Sequence, residues 1–260
     1  MNVTRRTYSP KDIENLPEIH VSTFLLVGHF LNEANWLRKL ILIASMDESG
    51  PEPEEKARLA LTLMLANVSA SKIHGGWMRV RAMAKEPTLV PLFAQKDVSE
   101  PFDRLVPLLA EGSLLHKFRN RQGSHYPASL SLAQPPNIAS NDVALFATPF
   151  DGDTLSLIST LCAAGSLIDV SGDQTVSAAL ETVIKALVEA FEIYGSLLLA
   201  MLFALVKNDI RAAGKQDIVG VGDACELSDI RLRFFCNPPS KWMGQETVCE
   251  GPAADGKSGV

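Results

Sequence analysis

The chain has 260 residues, of which 47% are hydrophobic and 21% charged, with a formal net charge of −6. That length holds one large domain or one domain with a small appendage, and the apolar fraction is ample for a buried core. The acidic balance argues against a general nucleic-acid binder acting through bulk electrostatics, while leaving room for a cationic pocket that acts within about one Debye length, ~8 Å.

Ala and Leu dominate the apolar residues, and there are only three Tyr and three Trp, a bias that favours helices over sheets. Residues 1–19 are polar, interrupted by Pro10 and Pro17, and read as an arm. From His20, apolar residues recur at three- and four-residue steps (Phe24, Val27, Leu31, Ala34, Leu37, Ile41, Ala44), which predicts one long amphipathic helix. A turn-rich connection, Ser45 to Pro53, leads to a second long helix ending near Ala84. Glu54 and Glu55 open it where carboxylates suit the helix dipole, and the Gly75-Gly76 pair is a candidate bend. Two helices of similar length joined by a short loop predict an antiparallel pair.

Glu86-Pro87 ends the second helix, and residues 88–96 read as a short helical turn. Ser99-Glu100-Pro101 opens a third helix, with Ser99 as its cap. Glu111-Gly112-Ser113 reads as a stop followed by a new cap, and a fourth helix runs from Leu114 to about Gln122. Residues 128–160 are rich in Ser, Pro, Asn and Asp; the apolar pieces Val143–Ala147 and Leu155–Ile158 flank a Phe150–Asp153 turn and suggest a small hairpin. Residues 172–212 form the most helical segment, capped by Asp173 or Thr175, with a second half apolar nearly all round. Leu227–Cys236 reads as an extended strand, and the chain from Pro238 as a disordered tail.

The four cysteines (Cys162, Cys225, Cys236, Cys249) match no metal-ligand spacing and read as free thiols of a reducing compartment. No Walker A, GxGxxG or GxSxG motif is present, so neither a metal nor a cofactor is expected. The N-terminus has no apolar signal region, and the longest continuous apolar run, Gly195 to Val206, is shorter than the ~20 residues of a membrane span. The expectation is a cytoplasmic protein without a membrane partner.

Chemistry concentrates in His116–Pro127 (HKFRNRQGSHYP), which gathers three fixed cations, two imidazoles, two amides and a phenol. Phe118-Arg119-Asn120…His125-Tyr126 resembles the signature of HEPN domains: an arginine, an adjacent polar residue, and a histidine after a short interval. The helices of residues 20–127, including FLNEANWLRKL with its Asn32-Glu33, resemble that family's bundle.

The resemblance implies a mainly α fold: an antiparallel four-helix bundle over 20–127 after the 1–19 arm. A C-terminal extension (128–237) with a long apolar helix and a few short strands packs on the bundle, before the 238–260 tail. It further implies a metal-independent RNA endonuclease or RNA-binding protein of a toxin–antitoxin or phage-defence type system. The partners expected are RNA, a second copy in a homodimer, and an antitoxin or other protein.

In that reading Arg119 stabilises charge on the phosphate and His125, titrating near neutrality, takes the proton of the 2′-hydroxyl. Asn120 orients phosphate or imidazole, Arg121 and Tyr126 support the site, and Glu33 is either anchored by His29, Lys39 or the motif's arginines or stands on the exposed face near Arg38. Arg79, Arg81, Lys85, Arg38 and Lys39 are candidates to extend a phosphate-binding surface, whereas His74 reads as a local structural residue. On an unbroken α-helix Arg119 and His125 stand ~120° apart, whereas Arg121 and His125 share a face. The alternative is a non-catalytic helical scaffold or interaction protein.

Overall fold

The structure, a computed structural model, describes residues 2–7, 16–46, 50–123, 145–147, 154–209, 215–220 and 230. Among them the chain is mainly helical. The two long N-terminal helices are α1 (Glu18–Ser45) and α2 (Glu52–Met83). Each follows a proline in extended backbone, Pro17 and Pro51, and carries acidic residues in its first turn, where the exposed N–H groups favour negative charge. On α1, Val27, Ala34 and Ile41 are buried at seven-residue steps; α2 answers with Ala66, Ala70, Ile73, Trp77 and Val80.

The expected bend at Gly75-Gly76 does not occur, because α2 runs through both residues. Gly76 serves a packing need instead: the hydroxyl of Tyr194 fills the space that a Cβ would occupy.

A short helix α3 (Val90–Phe93) leads into α4 (Lys96–Leu109). The expected cap at Ser99 is overturned, since α4 starts at Lys96 after Gln95, four residues earlier than such a cap sets it, and holds both Pro101 and Pro107 inside it. Each proline removes one backbone hydrogen bond; Val98, Leu105 and Leu109, buried on one face, hold the helix in place against the core. Gly112, in left-handed backbone (φ 81°), turns the chain into α5 (Leu114–Phe118), where Ser113 caps as expected by accepting from the His116 N–H at 3.2 Å. A π-helical turn, Arg119–Gly123, continues α5.

The small hairpin is present as β2 (Leu145–Ala147) antiparallel to β3 (Thr154–Ser156). Leu157 and Ile158, read as strand, instead begin a helix, α6 (Leu157–Ser171), which ends at Gly172 in the left-handed region (φ 80°). The long C-terminal helix is α7 (Val176–Asp209), with the Thr175 hydroxyl accepting from the Ala178 N–H at 3.2 Å. The arm also departs from expectation: Asn2–Thr7 form β1, antiparallel to β4 (Lys215–Gly220), with Asn2 opposite Gly220.

Helix α7 lies against α1, α2, α4 and α6, and one hydrophobic core runs from Val27 to Leu205. Leu187, Ala190, Leu197, Leu198 and Met201 are fully enclosed at its centre. Its stretch Val176–Val206 is long and apolar enough to cross a membrane by length and composition, with a mean hydropathy of 1.7. The continuous twelve-residue run understated this, because scattered charges interrupt the run without lowering the average much. Much of that apolar surface is spent on the core. The proposed strand Leu227–Cys236, apart from Ile230, and the 238–260 tail lie outside the described residues.

Candidate functional site

Helix α5 is anchored by Leu115 and Phe118, both buried, and this leaves His116, Arg119 and Asn120 toward its polar side. The backbone N–H of Gly112 donates to His116 Nδ1 at 3.2 Å, so the proton of the neutral imidazole sits on Nε2. Asn120, one turn on, brings its Nδ2 to 3.2 Å from that same Nε2, while its Oδ1 accepts from Arg119 Nη1 at 3.1 Å.

Two donors then face each other between Asn120 and His116. Turning the amide by a half-rotation resolves this, since Oδ1 then accepts from His116 Nε2–H. That exchange gives up the Arg119–Asn120 hydrogen bond, and Nδ2 becomes a second donor beside the Arg119 guanidinium. An acceptor oxygen lying between amide and guanidinium satisfies both, and a phosphate oxygen does so with charge complementarity.

His74 enters from α2, its ring centroid 5.8 Å from that of His116. It is half-buried, and its Nδ1 is buried without a hydrogen-bond partner among the described residues. Burial holds the His74 imidazolium below the usual histidine range, and the charges of Arg119, His116 and Arg81 push it further the same way. The Arg119 guanidinium of the π-helical turn and the imidazoles of α2 and α5 therefore lie at one spot, with the guanidinium as its fixed positive charge.

The π-helical turn also changes the helical arithmetic. An i→i+5 turn advances fewer degrees per residue than an α-helix, so α-helical spacing does not hold over Arg119–Gly123. His125 and Tyr126 themselves lie outside the described residues.

The remaining site candidates stand elsewhere. Arg121 donates to Asp169 of α6 at 3.3 Å, an exposed tie that draws its charge from the cluster. Glu33 accepts from Lys72 Nζ at 2.7 Å, with His29 Nε2 at 3.6 Å, so Lys72 takes the place expected for Lys39 or a motif arginine. Glu33 lines a separate small pocket between α1, α2 and α7 with Phe30, Leu37, Ile73 and Tyr194. Burial, with Glu33 nearby as a lesser cause, pushes the Tyr194 hydroxyl above the usual phenol range. Arg38 pairs with Glu192 at 2.8 Å and Lys39 lies 5.6 Å over the Trp36 ring, so neither joins the cluster. Arg81 does contribute its field to His74.

The His74–His116 pairing is what reading the chain in order missed. One signal was present: His116 and Asn120 are four residues apart, the spacing that brings side chains together on a helix. No group of three His, Cys, Asp or Glu side chains converges among the described residues in a way that would hold a metal ion. Searches against protein-family models, curated proteins and solved structures return no match.

Proposed function

We propose that the Arg119–Asn120–His116–His74 cluster binds a phosphate of RNA, and that the chain is a HEPN-like, metal-independent endoribonuclease or RNA-binding protein of a toxin–antitoxin or phage-defence type system. The observation that supports this reading best is the convergence of the Arg119 and Asn120 donors with two imidazoles at one π-helical turn. In this reading residues 20–127 serve as the antiparallel four-helix bundle of that family. His125 removes the proton from a 2′-hydroxyl, the 2′-oxygen attacks phosphorus, and the 5′-oxygen leaves and takes up a proton. Arg119 neutralises the charge that builds on the phosphoryl oxygens, donating more strongly in the transition state than in the ground state.

The test is cleavage of a labelled RNA by the purified chain in EDTA. The expected products end in a 2′,3′-cyclic phosphate and a 5′-hydroxyl. Arg119→Ala and His125→Ala are each expected to lower the rate by roughly 100-fold or more. Full activity in His125→Ala would sink the catalytic assignment. If RNA binds without being cut, and Arg119→Ala releases it, the binding reading stands alone.

A second reading, a non-catalytic helical scaffold, is favoured by the Arg121–Asp169 tie and the Gly112–His116 hydrogen bond, which give two of the polar groups structural work. It predicts that Arg119→Ala leaves partner binding intact and that RNA neither binds nor is cleaved.

A further inference from the structure

Arg119, Asn120, His116 and Gly112 stand in a row joined by three contacts, Arg119 to Asn120, Asn120 to His116, and His116 to Gly112. Both ends of the row can only donate, a guanidinium at one and a backbone N–H at the other. Between them stand two acceptors, the amide oxygen of Asn120 and the one bare nitrogen of a neutral His116 imidazole. Three contacts with two acceptors leave one contact unmade, whichever way the amide turns and whichever ring nitrogen carries the proton. The shortage is built into the residue types.

The backbone decides which contact goes unmade. Gly112 lies in left-handed backbone (φ 81°) between α4 and α5, and its N–H is aimed at His116 Nδ1 from that turn. His116 is held at a second point, its own N–H donating to the capping Ser113 hydroxyl at 3.2 Å. Both anchors are fixed by the main chain, whereas the exposed Asn120 amide turns over freely. Gly112 therefore keeps the His116 proton on Nε2, and Nε2–H takes Asn120 Oδ1. The shortage moves to the Arg119 end, where the amide Nδ2 and the guanidinium both present donors and an oxygen from outside has room to enter.

We propose that His116 is a positioning residue of the phosphate site, a role that rests on the phosphate reading: held in one tautomer by Gly112, it turns Asn120 so that Nδ2 faces the ligand. The gap so made takes an oxygen that only accepts, such as a non-bridging phosphate oxygen, and gives nothing to a group that must donate. His116 touches no reacting atom. Without it the amide is free to turn back, and Oδ1 then competes with phosphate for the Arg119 donor.

Long-range proton–nitrogen NMR of the full chain with 15N-labelled histidine reads the tautomer, with inorganic phosphate as the probe. The phosphate-bound protein is expected to hold His116 in the Nε2–H form, and His116→Phe to bind phosphate roughly tenfold more weakly. Asn120→Asp keeps the shape of the side chain and supplies the missing acceptor, one oxygen for Arg119 and the other for His116 Nε2–H. It should show the Nε2–H form in phosphate-free buffer, raise the folding equilibrium constant roughly fivefold and lose most of the phosphate affinity. This variant also decides the matter if His116→Phe does not fold.

Phosphate bound with His116 in the Nδ1–H form, or bound equally well by His116→Phe, would overturn the positioning role and leave the phosphate reading standing. An Asn120→Asp chain no more stable than the wild type would overturn the shortage itself. If the wild type takes up no phosphate while Asn120→Asp gains stability and the Nε2–H form, the phosphate reading falls and the hold of His116 on Asn120 is upheld.

Discussion

Gly76 and the π-helical turn mark two regions built on opposite terms. Around Gly76 the contact is one of shape, with the Tyr194 hydroxyl in the space a Cβ would take against the α2 backbone and apolar neighbours on α1 and α7. At the π-helical turn a guanidinium, an amide and two imidazoles lie together in a partly exposed hydrogen-bonded cluster. The first region is settled by shape and responds to volume. The second is governed by charge and responds to protons and anions.

The largest effect that would sharpen this contrast comes from Gly76→Ala. Its Cβ would collide with the Tyr194 hydroxyl, and we expect a loss of about 1–3 kcal/mol in urea unfolding, with an unchanged m-value. Gly75→Ala, one residue away, should by contrast not destabilise the isolated chain. Next in size is Tyr194→Phe. The Tyr194 hydroxyl is buried with no hydrogen-bond partner among the described residues, so its removal should stabilise the fold by about 1 kcal/mol and relieve part of the Gly76→Ala penalty. A loss of stability in Tyr194→Phe would mean the hydroxyl has a partner, such as a bound water.

The pH response belongs to the cluster. His74 binds its proton less readily folded than unfolded, so the unfolded state carries more protons as pH falls below about 6.5. The contribution of His74 to stability is therefore complete above that pH and is lost as pH drops toward its lower folded value. The groups acting on it are Arg119, His116 and Arg81, and the slope should flatten in His74→Gln. Inorganic phosphate, if held there, should raise the His74 titration midpoint in an NMR titration; no movement would count against an anion at this spot. The smallest effect is expected for Arg121 and Asp169, an exposed pair. A double-mutant cycle should return ~1 kcal/mol or less, declining with salt.

Much of the helical layout was legible. α1 and α2 follow from three- and four-residue apolar spacing, and the Gly112-Ser113 stop and cap from residues with specific backbone roles. α6 was missed because Leu155–Ile158 is a short apolar run that fits strand and helix equally until its continuation is weighed. β1 was missed because its partner is remote in sequence, so local propensity holds no trace of it. Half of the candidate site was visible: Arg119 and Asn120 come together, Arg121 and Glu33 are drawn to Asp169 and Lys72. The π-helical turn and the approach of His74 depend on tertiary contact between α2 and α5, which spacing along one helix does not encode.

The pairing of β1 with β4 has a consequence for synthesis. The two strands are separated by about 200 residues, so at translation rates of ~5–20 residues per second β1 waits roughly 10–40 s for its partner to leave the ribosome. Throughout that interval it is an unpaired edge, open to the same strand on a neighbouring nascent chain. Arg5 and Arg6, set side by side in its six residues, give the waiting strand a charge that repels its own copies.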